Sequence, residues 1–192
     1  MPMLTFDEET HTYRNDDVIL PSVTEILVSL GFINTHWFTA ESRNRGTAVH
    51  LAVRDHCCGI GCAAPTEEVE SYLRGYRRFE KECNWKPEKV ETPMACNLYA
   101  GTPDTIGLLN DCLAVVDFKS GEVGPATGLQ LQGYRDLHFW GQQTDREQIM
   151  KRFALQLTKE GKYRLTEYRD RSDQYIWRSA VAIWHWKRNH GI

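Results

Sequence analysis

The chain has no apolar run long enough to cross a bilayer, and no basic-then-apolar stretch that reads as a secretory leader. The expectation is a cytoplasmic protein with no membrane partner. There is no internal repeat and no low-complexity tract, and the aromatic content is that of an ordinary folded protein. A strong charge of either sign is also missing: the formal net charge is −3, which argues against indiscriminate nucleic-acid binding. No cysteine follows Cys112. The six are Cys57, Cys58, Cys62, Cys83, Cys96 and Cys112. Without an export signal, reduced thiols are the default. Cys57-Cys58-x-x-x-Cys62 lacks the second pair that a zinc site needs.

What is present is enough chain, 192 residues, for one well-buried domain and too little for two. We read a single unit over 1–192: an N-terminal hairpin and helices to residue 85, a core over 86–168, and a C-terminal helix over 169–192. Charge is unevenly spread. Residues 1–134 hold 11 Lys+Arg against 19 Asp+Glu, whereas 135–192 hold 12 against 7. The second segment is therefore the better candidate for a phosphate-facing wall, with Lys151, Arg152, Lys162 and Arg164 as its contacts. If these only solvate a hairpin and a helix, Arg43, Arg45 and Arg54 are the remaining choice.

Local signals predict the elements. Leu4 to Val18 reads as a hairpin, and Ser22-Val23-Thr24-Glu25 is a capping box opening a helix to about Leu30. Ala40 to His56 reads as a helix with Val49, Ala52 and Val53 as its apolar stripe. Thr66 opens another, whose Tyr72, Tyr76 and Phe79 read as core. Strands are predicted over Lys89–Ala95, Tyr99–Leu109 and Leu113–Lys119, the last two turning at Asn110-Asp111. Gly128 to Trp140 reads as a helix, with Leu129, Gly133, Leu137 and Trp140 near one face. Met150–Thr158 and Tyr163–Tyr168 read as strands. A last helix is capped by Ser172 or Asp173 and carries Trp177, Trp184 and Trp186. The order, helices, three strands, a helix and two strands, is that of an α/β fold.

Two carboxylates and a lysine carry the chemistry. Alternation along Leu113–Lys119 puts Asp117 and Lys119 on one face and Val116 and Phe118 on the other. Asp104, in Gly101-Thr102-Pro103-Asp104, opens the neighbouring strand, so antiparallel pairing brings it beside Asp117. Carboxylates this close repel unless a cation lies between them. Oxygen donors suit Mg²⁺ or Mn²⁺. Lys119 could then orient or deprotonate a water, or offset charge in a phosphoryl transition state. The plain alternative is an exposed same-face pair at a strand end. Gln130 and Tyr134, four apart on a helix, share a face. His50 borders the Val49-Ala52-Val53 stripe, a place where histidine is more often structural than a ligand.

Taken together, His50, Pro103-Asp104, Asp117-x-Lys119 and Gln130-x-x-x-Tyr134 stand in the order found in the PD-(D/E)XK nuclease superfamily. They resemble its RecB-type branch of recombination-helicase nuclease domains, CRISPR-associated and mitochondrial genome maintenance exonucleases, and phage exonucleases. The openings Phe6-Asp7-Glu8-Glu9-Thr10-His11-Thr12-Tyr13 and Leu20-Pro21-Ser22-Val23-Thr24-Glu25-Ile26-Leu27 also look like small phage and bacterial members. The resemblance spans about Phe6 to Tyr168. It implies a restriction-endonuclease-like core, a central mixed β-sheet flanked by helices. It implies that His50, Asp104, Asp117 and the Phe118 carbonyl ligate Mg²⁺ or Mn²⁺, that Lys119 is the catalytic lysine, and that Gln130 and Tyr134 contact DNA or steady the site. Glu91 matches a frequent acidic position on the first core strand, and Arg45 lies on the helix of His50. Some relatives hold an iron–sulfur cluster with three cysteines near the C-terminus. With none after Cys112, no such cluster is expected here.

The function implied is a metal-dependent DNase, most simply an exonuclease of recombination, repair or phage replication, in a bacterial host or phage-infected cell. A structure-specific or nicking endonuclease, a catalytically silent DNA-binding protein on the same fold, and an RNA-directed enzyme are the alternatives.

Overall fold

The computed structural model describes residues 4–34, 39–61, 66–142 and 149–192. Cys62 lies outside them. Cys57, Cys58, Cys83, Cys96 and Cys112 are free thiols.

The chain opens as a three-stranded antiparallel meander, β1 (Leu4–Asp7), β2 (Thr12–Asn15) and β3 (Val18–Leu20). The capping box then forms as expected: Ser22 Oγ accepts from the Glu25 amide at 2.9 Å, and the Glu25 carboxylate accepts from the Ser22 amide at 3.3 Å. It starts α1 (Val23–Ser29). Thr39 and Thr66 cap α2 (Ala40–Cys57) and α3 (Glu67–Glu82) with their hydroxyls.

The main sheet has five strands. β4 (Trp85–Val90), β7 (Thr105–Leu109), β8 (Cys112–Lys119), β9 (Lys151–Leu157) and β10 (Tyr163–Glu167) lie in the order β10-β9-β8-β7-β4. A separate two-residue pair, β5 (Met94–Ala95) and β6 (Ala100–Gly101), stands between β4 and β7 in the chain. Only β8 and β9 run parallel, so the sheet is mixed. A parallel neighbour needs a crossover, and α4 (Pro125–His138) lies in that connection. The chain closes with α5 (Ser172–Asn189). Among the described residues, no helix is long and apolar enough to cross a membrane.

Both faces of the sheet are covered. Val49 and Val53 of α2 and Tyr72, Tyr76 and Phe79 of α3 pack with Val116 and Phe118. Residues of α1, α4 and α5, including Ile26, Leu131 and Trp177, pack with Ile106 and Val115 on the other face. The three aromatics of α3 are thus core, as their spacing predicts. The result is an α/β fold with a mixed sheet flanked by helices.

Several expectations shift. The first core strand is Trp85–Val90, not Lys89–Ala95, because Glu91 takes φ +40° and turns the chain out of the strand. The run Tyr99–Leu109 is broken between Gly101 and Thr105, so Asp104 sits just before β7. Asn110 and Asp111 both adopt positive φ, the signature of a tight hairpin turn. Helix α4 ends at His138, which leaves Trp140 outside it and half exposed. Neither Ser172 nor Asp173 caps helix α5: Asp173 is taken up by Arg152, and Asp170 Oδ1 accepts from the Ser172 amide at 2.8 Å.

One close approach is glycine-dependent. Strand β4 carries an irregularity between Pro87 and Lys89 opposite Gly107. A Cβ on Gly107 would sit 2.1 Å from the Lys86 carbonyl oxygen and 2.8 Å from Pro87 Cα. Gly107→Ala must push β4 off β7, with an expected loss of about 1–3 kcal/mol in a urea titration. A change below about 0.5 kcal/mol would mean that β4 yields freely.

Candidate active site

The site forms at the C-terminal end of β8, where three elements meet. The β7–β8 ladder pairs Thr105 with Val116, and its next step sets Asp104 across from Asp117. The segment before β7 is held in place: Tyr13 OH and Thr102 Oγ1 are 2.8 Å apart, and the Glu91 amide donates to the Asp104 carbonyl at 2.9 Å. The Asp104 carboxylate then makes two contacts. Oδ2 accepts from the Phe118 amide, and Oδ1 lies 3.2 Å from His50 Nδ1. The other ring nitrogen of His50, Nε2, is 3.1 Å from the Phe118 carbonyl oxygen. His50 therefore bridges two of its proposed co-ligands from a helix some fifty residues earlier in the chain.

Asp117 shares the parity of Val115, so it faces the α4 side and is 2% exposed. Its Oδ2 is 2.7 Å from Lys119 Nζ, a buried ion pair. Lys119 also donates to Gln130 Oε1 at 3.2 Å, and Gln130 Nε2 donates to Tyr134 OH at 3.2 Å. The i, i+4 spacing on α4 makes that relay possible. His50, Asp104, Phe118, Asp117, Lys119, Gln130 and Tyr134 thus form one continuous set of neighbours.

The electrostatics follow from burial and pairing. The Asp104 charge raises the His50 pKa to about 9 against the opposing effect of burial, so the ring is a cation at neutral pH. Burial pushes Asp104 up, but His50 and then Lys119 and the Phe118 amide outweigh it and hold it below the usual range. Burial dominates for Asp117, which is raised despite Lys119. Burial works against the Lys119 charge, yet Asp117 and Asp104 hold its pKa above the ordinary value, so it is an ammonium. Burial and then Asp104 raise Glu91.

The remaining residues named from the sequence divide. Glu91 follows β4 and lies 3.6 Å from Arg54, beside Asp104 in a shared cleft. Arg45 and Arg43 line a second cleft with Lys119, and the Nε of Arg45 is buried without a partner. The proposed wall from residue 135 onward does not hold together. Arg152 is 3% exposed and spent on the Gly128 and Asp170 carbonyls and the Asp173 carboxylate, so it is an internal tie rather than a phosphate contact. Lys151 pairs with Ala114, at the opposite end of β8 from Lys119. Lys162 sits in the β9–β10 turn against Gly75 of α3. Of the four, only Arg164, opposite Gln156, which in turn pairs with Lys119, stands at the same end of the sheet as Lys119.

Two clefts meet at Gly46 and His50. One, of about 440 Å³, contains Arg43, Arg45, Lys119 and Gln130. The other, of about 690 Å³, contains Phe6, Glu8, His11, Arg54, Glu91 and Asp104. Phe6, Glu8 and His11 carry no role that the sequence alone assigns. A third cleft of about 400 Å³, between Tyr99, Trp140, Trp177 and Arg178, shares no residue with the site.

Among the described residues, no three His, Cys, Asp or Glu side chains form a ready group for a metal ion. The donor set nevertheless fits a hard divalent cation. It offers two carboxylates, an imidazole and a backbone carbonyl. No known protein-family model matches the chain, and no curated protein matches it.

A proton balance checks this geometry. In the metal-free chain, His50 has a raised pKa, so its pairing with Asp104 stabilises fully below about pH 6.5 and that contribution fades as pH rises through about 9. Ligation needs the neutral ring, so Mg²⁺ or Mn²⁺ must displace its proton. Calorimetry at pH 7 in buffers of different ionisation enthalpy is expected to count about one proton released per ion. His50→Gln should bring the count toward zero. Equal counts for both proteins would remove His50 from the ligand set.

Proposed function

We propose that the chain is a metal-dependent deoxyribonuclease of the PD-(D/E)XK superfamily, RecB-type branch, cleaving DNA from its ends in recombination, repair or phage replication. The observation that carries this reading is the convergence of residues 50, 104, 117, 119, 130 and 134 from four parts of the chain at the C-terminal end of the central strand. The mixed sheet, with the acidic pair at the open end of the β7–β8 hairpin and a parallel β9 reached through α4, suits a restriction-endonuclease-like core.

A bound Mg²⁺ or Mn²⁺ would be held by His50, Asp104, Asp117 and the Phe118 carbonyl, and would supply Lewis-acid stabilisation of charge on the scissile phosphate. The chain's own groups do the rest. Hydrolysis adds a water oxygen to phosphorus and expels an alkoxide, so negative charge grows on the phosphoryl oxygens. Lys119, kept protonated by Asp117 and Asp104, answers that charge as an ammonium and serves less well as a base. Gln130 aims Lys119, and Tyr134 aims Gln130. Arg43 and Arg45, in the cleft beside Lys119, receive the phosphates of the strand.

End-labelled single- and double-stranded DNA, with circular DNA as control and Mg²⁺ or Mn²⁺ present, tests the reading. Asp117→Asn and Lys119→Ala are each expected to lose roughly a thousandfold in rate with the fold retained by circular dichroism. Because the two side chains act as one unit, the double variant should be no worse than either single variant by more than about threefold. Wild-type turnover by either single variant would sink the assignment. Fully additive losses would separate the roles of the pair.

Arg43→Ala with Arg45→Ala is expected to flatten the log–log salt dependence of DNA binding by about 0.7–0.9 for each phosphate no longer neutralised. Lys151→Ala, at the far end of the sheet, should leave the slope unchanged. The reverse result would return the DNA path to the C-terminal segment.

A further inference from the structure

The two clefts that meet at His50 differ in charge. The cleft beside Lys119 holds Arg43, Arg45 and Lys119 against one carboxylate, Glu122. The cleft beside Asp104 holds Glu8, Glu91 and Asp104 against two cations, Arg54 and the shared His50. Both are engaged: the nitrogens of Arg54 lie 3.2 Å from Asp55 and 3.6 Å from Glu91, and His50 Nδ1 lies 3.2 Å from Asp104. A phosphodiester chain passing straight across the site would have to leave a basic channel and enter an acidic one.

The acidic cleft is also a built surface. Phe6 stacks on Tyr13 with centroids 4.5 Å apart and planes at 23°, and His11 stands edge-on to both rings. The loop between β1 and β2 is fixed by Asp7, whose Oδ1 accepts from the Glu9 and Thr10 amides at 2.9 and 3.2 Å. His11 takes φ +51°, a conformation costly for a residue with a Cβ. The cleft volume, about 690 Å³, lies in the range of roughly 300–1,000 Å³ that takes small organic ligands. Aromatic walls suit a nucleobase of any sequence, and carboxylates accept from sugar hydroxyls while repelling phosphate.

The geometry points to a subsite for the terminal nucleoside of a DNA strand in the cleft of Phe6, His11, Glu8 and Glu91, selective for a hydroxyl over a phosphate at that terminus. The inference rests on the nuclease reading and adds to it the substrate end. The basic cleft holds the phosphates of the chain, the scissile bond lies at Asp104 and Asp117, and the strand stops in the acidic cleft. Glu8, on the exposed loop, supplies the discriminating charge, because Glu91 is already opposed by Arg54.

The test uses one oligonucleotide sequence prepared with hydroxyl or phosphate at the 5′ end and, separately, at the 3′ end, with initial rates measured well below saturation. At the end attacked, the wild type is expected to cleave the hydroxyl form about tenfold faster than the phosphate form. Glu8→Lys should bring that ratio to about threefold or less. Glu9→Lys, next in the chain but outside the cleft, controls for general charge, and the wild-type ratio should persist. A ratio at or below one in the wild type overturns the subsite, as does an equal shift in both variants. So does cleavage of circular DNA as fast as linear, which also removes end-directed cleavage; the metal-dependent nuclease reading survives all three results. Absence of cleavage of any DNA with either metal would overturn the nuclease reading and the subsite together.

Discussion

Strand β8 is covered by helices on both faces, so any charge on it must be answered from inside the molecule. Val116 and Phe118 fill one core and Val115 the other, and Asp117 falls on the second side with 2% of its surface exposed. A carboxylate there costs too much to leave alone. Lys119 on the same face, Gln130 on α4 and Tyr134 a turn further each become partners of the next. Asp104 meets the same constraint across the hairpin, and His50 and the Phe118 amide answer it. The architecture of the site is the set of groups needed to keep two buried carboxylates in place.

Those compensations are incomplete, and the deficit has chemical meaning. The Nε of Arg45 is buried without a partner beside the basic cleft. Buried polar atoms are nearly always satisfied, so an unsatisfied donor there is where an anionic ligand gains most. The raised His50 and lowered Asp104 describe the same balance: the imidazolium supplies the positive charge that the buried Asp104 carboxylate needs.

Much of this is legible in the residues. Period-two alternation in Leu113–Lys119 puts Asp117 and Lys119 together, and the i, i+4 pair Gln130 and Tyr134 forms the relay that spacing allows. The capping box and the Asn110-Asp111 turn can be read from the chain because they are local. The departures have one origin, which is dependence on tertiary partners. Nothing near Arg152 in the chain announces that Asp173 and two carbonyls will enclose it, so a core arginine reads as a surface cation. The start of β4 is hidden because Lys86 and Glu88 look like loop residues when their neighbour β7 is not known. Phe6, Glu8 and His11 escape notice for the same reason: their cleft exists only once the meander packs beside α2.

Helix α2 joins the molecule through a thin contact. Of its eighteen residues only Val49, Ala52 and Val53 are buried, whereas α3 buries seven of sixteen. A helix with so small an apolar footing opens locally well before the sheet unravels. Its amides should therefore exchange with solvent early, and those of β8 late. Since His50 rides on α2, the candidate site would come apart by undocking one helix while the carboxylates stay fixed on the hairpin. Hydrogen exchange would read this directly, and a cation spanning His50 and Asp117 would act as a rivet, slowing exchange along α2 and leaving α3 unchanged.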